Sequence, residues 1–309
     1  MPTQHSPQIG LLLPSHETVL WSGSDLGVLI ETARLAEQAG YDSVWTGDSL
    51  LARPRGEPLT LLAAVAAVTT RVRLGTAVLL PLLRHPLTLA HTVASLDRIA
   101  GGRLILGVGP GADVPGTHAE LAALGVSSDR RVTAMLHSIE RCRRLWRGED
   151  PDLELRPAPH RAGGPPVWLG ARGPRMLRLT GRQYDGWLPF SPTPDHYAAG
   201  LRAVRQAAEQ AGRAPDTVTA GAYLTIAAAD TPQRAAEELD AYMRAYYGMP
   251  GQVMAQVQAC HAGTLESASD WVASYAQAGA RHLVIRLARP ALTDYHETVH
   301  ELLSAVRAR

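Results

Sequence analysis

Gly107, Gly109 and Gly111 stand at alternate positions, the first near the end of an apolar run at 104–108 and the others directly after it. Residues without a Cβ let backbone amides come close to an anion, so a phosphate could rest there, although a tight turn explains the stretch equally well when it is taken alone. A second segment, Gly170-Ala171-Arg172-Gly173-Pro174 followed by Arg175 and Met176, separates another short apolar run from a helical pattern, and Pro174 suits the first helical position. A helix starting there offers free amides and the positive end of its dipole, to which Arg172 or Arg175 adds a charge-assisted contact. Two such loops on neighbouring strands would face one phosphate, which makes a nucleotide-like or flavin-like cofactor the leading expectation.

Other patterns compete. His296-Glu297-Thr298-Val299-His300 has the HExxH spacing that puts two zinc-binding histidines one helical turn apart, the basis of a zinc hydrolase reading. Only nine residues follow to supply a third ligand, and a terminal helix packs outside a barrel, so two solvated histidines are the better reading and no metal is expected. Asp48 and His85 each follow a predicted strand and could move protons as the catalytic pair, or be hydrogen-bonded structure. Arg141, Arg143, Arg144 and Arg147 surround the end of one helix, where positive charge complements the dipole, and read as a solvated face. Arg130 and Arg131, just before that helix, could touch an anion. Trp21, Trp45, Trp168 and Trp187 lie in or near strands and could line a flat pocket or fill the core. A dinucleotide fold would need its glycine loop after the first strand and an acid about 20 residues on, and neither is present.

These residues need positioning elements. Short strand-like runs at 9–13, 43–46, 72–80, 104–108, 167–170, 185–188, 218–227 and 282–287 alternate with helical patterns at 26–39, in the alanine-rich stretch after Pro58, and at 86–99, 132–146, 174–181, 195–211, 231–246, 264–278 and 293–306. Eight strand-helix units predict a single-domain (β/α)8 TIM barrel over 1–309 with insertions at the C-terminal face, where its ligand would sit. Residues 149–166 read as a long surface excursion, and the segment between 247 and 263 has no clear assignment.

Composition narrows the chemistry. The 309 residues carry 30 basic and 29 acidic side chains, and every basic one is arginine. Without lysine there is no pyridoxal Schiff base, no Walker-type phosphate loop and no lysine nucleophile, and a net charge of +1 argues against a nucleic-acid partner. Two cysteines, Cys142 and Cys260, exclude a disulfide framework. No apolar run is long enough for a membrane helix and no leader pattern opens the chain, so a cytoplasmic protein is expected.

Asp42-Ser43-Val44-Trp45-Thr46-Gly47-Asp48, Val72-Arg73-Leu74-Gly75-Thr76-Ala77-Val78, Arg84-His85-Pro86 with Leu96-Asp97, Gly101-Gly102-Arg103, Leu106-Gly107-Val108-Gly109-Pro110-Gly111, and Gly173-Pro174 with Asp185-Gly186 together resemble the bacterial luciferase-like flavin and deazaflavin oxidoreductases along nearly the whole chain. The resemblance implies a barrel, usually dimeric, that binds reduced FMN or coenzyme F420 without covalent attachment. It places the phosphate on the loop Gly107, Gly109, Gly111 and on the segment Gly170, Ala171, Arg172, Gly173, Pro174, Arg175 and Met176. The ring would lie over the ends of the first three strands, at Leu13 and at Thr76, Ala77 and Val78, with a non-proline cis peptide at Ala77–Val78. Reduced FMN implies monooxygenation of a small organic substrate, with a separate flavin reductase as partner; F420 implies hydride transfer; the lean is toward FMN. Relatives commonly place histidine where this chain has Ser49, so the proton-transfer role moves to Asp48 or His85 or is not needed. Substrate choice would rest in the loops 50–57, 113–126 and 249–260.

Overall fold

The computed structural model describes residues 6–21, 23, 25–289 and 295–309. Nine strands appear: β1 (Gln8–Leu12), β2 (Ser43–Thr46), β3 (Arg73–Thr76), β4 (Leu104–Val108), β5 (Val167–Leu169), β6 (Gly186–Trp187), β7 (Thr219–Ala228), β8 (Ala259–Gly263) and β9 (His282–Leu287). All pairings are parallel, and β1 to β7 followed by β9 close back on β1 as a ring of eight. The predicted (β/α)8 barrel is therefore present, its eight ring strands those expected from the sequence. β8 is additional. β7 outruns the two-residue β6, pairing with it at Thr219–Ala220 and offering the same edge at Leu224–Ala228 to β8.

Helices pack outside the ring: α1 (Ser15–Trp21) and α2 (Gly27–Ala39) after β1, α3 (Pro58–Val68) after β2, α4 (Pro86–Ile99) after β3, α5 (Pro115–Ala123) and α6 (Arg131–Arg147) after β4. They continue with α7 (Pro174–Gln183), α8 (Pro194–Gln210), α9 (Pro232–Tyr247), α10 (Gly251–Met254), α11 (Leu265–Gln277) and α12 (Tyr295–Arg307). Proline opens α3, α4, α5, α7, α8 and α9, where its missing N–H is no loss and its φ is already helical. Residues 149–166 form no helix or strand, as expected, and are tied down by Asp150, which pairs with Arg141 at 2.7 Å. The Trp21 side chain, Pro290 at the rim and the predicted helix start at Thr293 lie outside the described residues.

Alternation along the strands separates two cores. Ile9, Leu11, Leu13, Val44, Leu74 and Leu106 face outward to the helices, whereas Leu12, Trp45, Ile105, Trp168, Leu188, Tyr223 and Val284 fill the barrel. Trp45 and Trp168, with ring centroids 5.4 Å apart, are too large for an ordinary eight-stranded interior, and inward glycines make the room. A Cβ at Gly75 would stand 2.1 Å from Trp45, and one at Gly186 2.4 Å from Trp168. Beneath them His282, fully buried, bonds Ser43 Oγ at 2.7 Å, and burial lowers its pKa to about 3, so the imidazole is neutral.

Candidate active site

The carboxyl ends of the ring strands bring the two glycine segments together. The Ala77–Val78 peptide is cis, at the position expected, and both residues are half-buried. The Val78 side chain fills the space that side chains would take on the next two strands: a Cβ at Gly109 would stand 2.7 Å from Val78 Cγ2 and one at Gly170 3.2 Å from Cγ1. The Gly109 amide donates to Leu79 O at 3.0 Å and the Gly170 amide to Val108 O at 2.9 Å. These two glycines thus shape the mouth, and their amides belong to the barrel ladder.

The amides available to an anion lie one step outward, at α7. Its N-cap Gly173 has φ of 79° and no side chain caps the turn. Pro174 has no N–H and Leu177 N is the first to reach back, to Gly173 O at 3.0 Å, so the amides of Arg175 and Met176 remain for a ligand. Arg172, Gly173, Pro174 and Arg175 are exposed there, whereas Ala171 is buried and its carbonyl accepts from Trp187 Nε1. Gly111, with φ of 79°, is half-buried on the neighbouring loop.

Five expected site residues have other work. Leu13 points outward into the helix-facing core, and Leu12 is the β1 side chain inside the barrel, because strand parity places only one of two neighbours inward. The Thr76 hydroxyl donates to Gly107 O at 2.7 Å, and Gly107 sits in the wall where a Cβ would meet Thr76 O at 2.0 Å. Asp48 holds the rim: its carboxylate accepts from Leu80 N and takes both Nη atoms of Arg84 at 2.6 and 3.1 Å. Arg84 also bonds Glu57, the cap of α3, whose carboxyl stays below its usual range because the Thr60 amide and Arg84 overcome burial. His85 is exposed and caps α4, its Nδ1 accepting from Leu87 N.

Ser49 donates to Glu120 of α5 at 2.5 Å and accepts from Arg53 N. Glu120 Oε1 also takes the amides of Leu50, Leu51 and Ala52 at 2.6, 2.6 and 2.9 Å. Burial opposes ionisation of Glu120, yet these donors leave its carboxyl below the ordinary value. Two of the loops assigned to substrate choice, 50–57 and 113–126, are thereby clasped to each other.

The opposite wall, formed by β7, β9, α9 and α1, was not anticipated. Arg286 on β9 is 1% exposed, donates to Tyr247 Oη at 2.9 Å and Thr225 Oγ1 at 3.0 Å, and lies 4.7 to 5.4 Å from the ring centres of Tyr223, Tyr242, Tyr246 and Tyr247. Arg55 reaches in from the loop after β2, donating to Tyr246 Oη at 3.0 Å, with Nη1 only 2.1 Å from where a Cβ of Gly47 would stand. His16 bonds Pro54 O and meets the Tyr246 ring edge-on, and burial lowers its pKa. Glu17 accepts from the Tyr242 hydroxyl. The sequence did hold a signal: a charge in the otherwise apolar His282–Leu287, at the inward parity of His282 and Val284.

The HExxH residues do not converge on a metal site. His296 is exposed and its Nε2 bonds Thr32 Oγ1, His300 is exposed, and among the described residues no three metal-ligating side chains cluster. A cavity of about 540 Å3 beyond β7 and β9 is lined by Glu297 and Glu238, the latter paired with Arg234 and Arg289. Arg141 reaches the buried Asp150, Arg143 and Arg147 form ion pairs with Asp185 and Glu149, and Arg131 pairs with Asp113.

A family model for luciferase-like monooxygenases matches residues 8–283. The chain is 35% identical over 198 residues to the 5,10-methylenetetrahydromethanopterin reductase of Methanolobus tindarius, covering 62% of this chain and 58% of that protein. It is 33% identical over 256 residues to the phthiodiolone/phenolphthiodiolone dimycocerosates ketoreductase of Mycobacterium bovis, covering 70% and 66% respectively. The matches thus span somewhat less than two thirds of either relative. Among solved structures, the monooxygenase RslO1 of Streptomyces bottropensis superposes with a TM-score of 0.79 at 22% identity, over 97% of this chain and 99% of the other. An F420-dependent secondary alcohol dehydrogenase holding an F420-acetone adduct superposes with 0.79 at 20% identity, over 98% and 100%. These two likenesses show the fold. Among the described residues no helix is long and apolar enough to cross a membrane.

Proposed function

From the premise that the chain belongs to the luciferase-like monooxygenase family, we propose that it is an oxidoreductase holding a phosphorylated flavin or deazaflavin at the barrel mouth. The observation that carries this reading is the uncapped first turn of α7, flanked by exposed Arg172 and Arg175, beside strand ends stripped of side chains at Gly109 and Gly170. The residues fit such a group: amides and two arginines for a phosphate, and the half-buried Ala77–Val78 step as a floor for a flat ring. Bound there, the cofactor would supply the two-electron chemistry that no side chain provides. The protein's own part is orientation and exclusion of water by the clasped loop 49–52.

F420-linked hydride transfer to carbon is the chemistry we place first, because the two relatives described above, at 35% and 33% identity, are named reductases. This reverses the lean toward FMN taken from the sequence. Monooxygenation with reduced FMN, fed by a separate flavin reductase, is the second reading and rests on the family description. A cytoplasmic homodimer completes the proposal.

Titration of the purified protein with FMN, with reduced FMN under anaerobic conditions and with F420 tests it. We expect one of them to bind at micromolar or tighter Kd, and Arg175→Ala to weaken that cofactor about tenfold, or 1.4 kcal/mol. Absence of binding by all three at about 1 mM refutes the assignment.

A further inference from the structure

The wall across the mouth from α7 carries more positive charge than it neutralises. In the ring order β9 and β1 lie diametrically opposite β4 and β5, so Arg286 faces the glycine segments across the opening. Its Nη atoms meet only the neutral oxygens of Tyr247 and Thr225, and its buried Nε has no acceptor among the described residues. Arg55 bonds the neutral hydroxyl of Tyr246 and backbone Arg53 O. Among the described residues neither guanidinium has a carboxylate within ion-pair distance, and the one acid packed in this wall, Glu17, takes the Tyr242 hydroxyl.

The neighbours do not supply a second negative charge. Burial raises the phenols of Tyr223 and Tyr242 well above their ordinary range and that of Tyr247 upward as well, so they stay neutral. Stacking of Arg286 on four tyrosine rings offsets part of its desolvation, but one buried and one half-buried guanidinium against one carboxylate leave positive charge in excess. Arg53, half-buried with its Cζ 4.7 Å from the Tyr247 ring centre, adds to the same sign. The planar fork of arginine donors matches a carboxylate or a phosphate, and the free amides of α7 already offer the other side of the mouth to a phosphate.

We propose that this wall binds the carboxylate of an acidic organic substrate, with Arg55 and Arg286 as its ligands. The inference rests on the mouth being the place of reaction, and it adds the substrate class: a carboxylic acid presented across the opening from the cofactor's phosphate. Arg55, which crosses the end of β2 and is only half-buried, is the first group an entering carboxylate meets.

The test is calorimetric titration of the cofactor-saturated protein with benzoate and with its neutral counterpart benzamide. Benzoate is expected to bind at least tenfold more tightly, Arg55→Gln to abolish that preference and Arg55→Lys to retain part of it. Arg286→Met should act as Arg55→Gln does; if it fails to fold, the Arg55 variants decide. Equal affinity for the two probes, no benzoate binding up to about 10 mM, or a preference that survives Arg55→Gln overturns the proposal. So does benzoate that binds only the cofactor-free protein, which would assign the charge to the cofactor's own ring. Absence of cofactor binding would instead strike the proposed function, so the two failures are distinguishable.

Discussion

Replacing Glu120 by glutamine tests the clasp between α5 and the rim loop. The carboxylate Oε1 accepts four donors, from Ser49 Oγ and the amides of Leu50, Leu51 and Ala52. Glutamine keeps the shape, but its neutral carbonyl oxygen has two lone pairs and its other terminal atom becomes a donor. One or two of the four donors must then lose their acceptor at about 1 to 3 kcal/mol each, and the remaining bonds weaken without the charge; we expect about 2 to 4 kcal/mol in total. With an unfolding entropy near 2 cal/mol/K per residue, that lowers the melting temperature of a chain of this length by about 3 to 6 °C if unfolding is cooperative. The pH dependence has a definite sign. Because the folded pKa of Glu120 lies below the ordinary value, its ionisation stabilises the native state above the unfolded pKa, and that contribution is lost as pH falls through the folded pKa. The gap between parent and variant should therefore be full at pH 7 and shrink on acidification. Differential scanning calorimetry from pH 4 to 8, with hydrogen exchange of the 49–52 amides, reads both effects. A melting temperature within about 1 °C of the parent at pH 7, with unchanged exchange at these amides, refutes the reasoning.

Three further outcomes follow from packing and charge. Gly75→Ala places a methyl group 2.1 Å from the Trp45 ring and should cost about 1 to 3 kcal/mol in urea denaturation, with partial recovery in the Gly75→Ala/Trp45→Phe double variant; no recovery would contradict the fitted-indole account. His282 is buried neutral with a pKa of about 3, so the unfolded chain takes up a proton that the native one refuses as pH falls below 6.5; stability should drop with a slope of up to about 1.4 kcal/mol per pH unit, and His282→Gln should flatten that slope. Arg84→Met leaves the buried Asp48 carboxylate and the α3 cap without their cation, and a loss of about 3 kcal/mol on thermal or chemical unfolding is expected, against near zero for the exposed pair lost in Arg156→Ala.

Most ring strands were legible because they are apolar, β-branched or leucine-rich runs followed by a helical period. β8 was not, since Ala259–Gly263 is built from small or polar residues and exists only because β7 leaves an edge free beyond β6. The two-residue β6 shows the same limit from the other side: its pairing is set by neighbours. The glycine segments stood out by their spacing alone, and the cis Ala77–Val78 peptide was expected through the family resemblance. Strand parity, had it been applied to Leu13, would have moved the expectation to Leu12. Asp48 and His85 stood at the right height on the barrel, but only three-dimensional contacts reveal that Arg84 and the Leu87 amide already engage them. The arginine-tyrosine wall was the hardest to foresee, because Tyr242, Tyr246 and Tyr247 come from α9, far in sequence from Arg55 and His16.

The paired indoles of Trp45 and Trp168 seal the barrel from below, and this has a kinetic corollary. Were the proposed cofactor and a substrate both to enter at the mouth, a vessel closed at one end would admit them through the same neck, and whichever goes deeper would arrive first and depart last. Steady-state velocity patterns should then show a compulsory order or a substituted-enzyme cycle, and an excess of the late-arriving reactant should trap its partner inside.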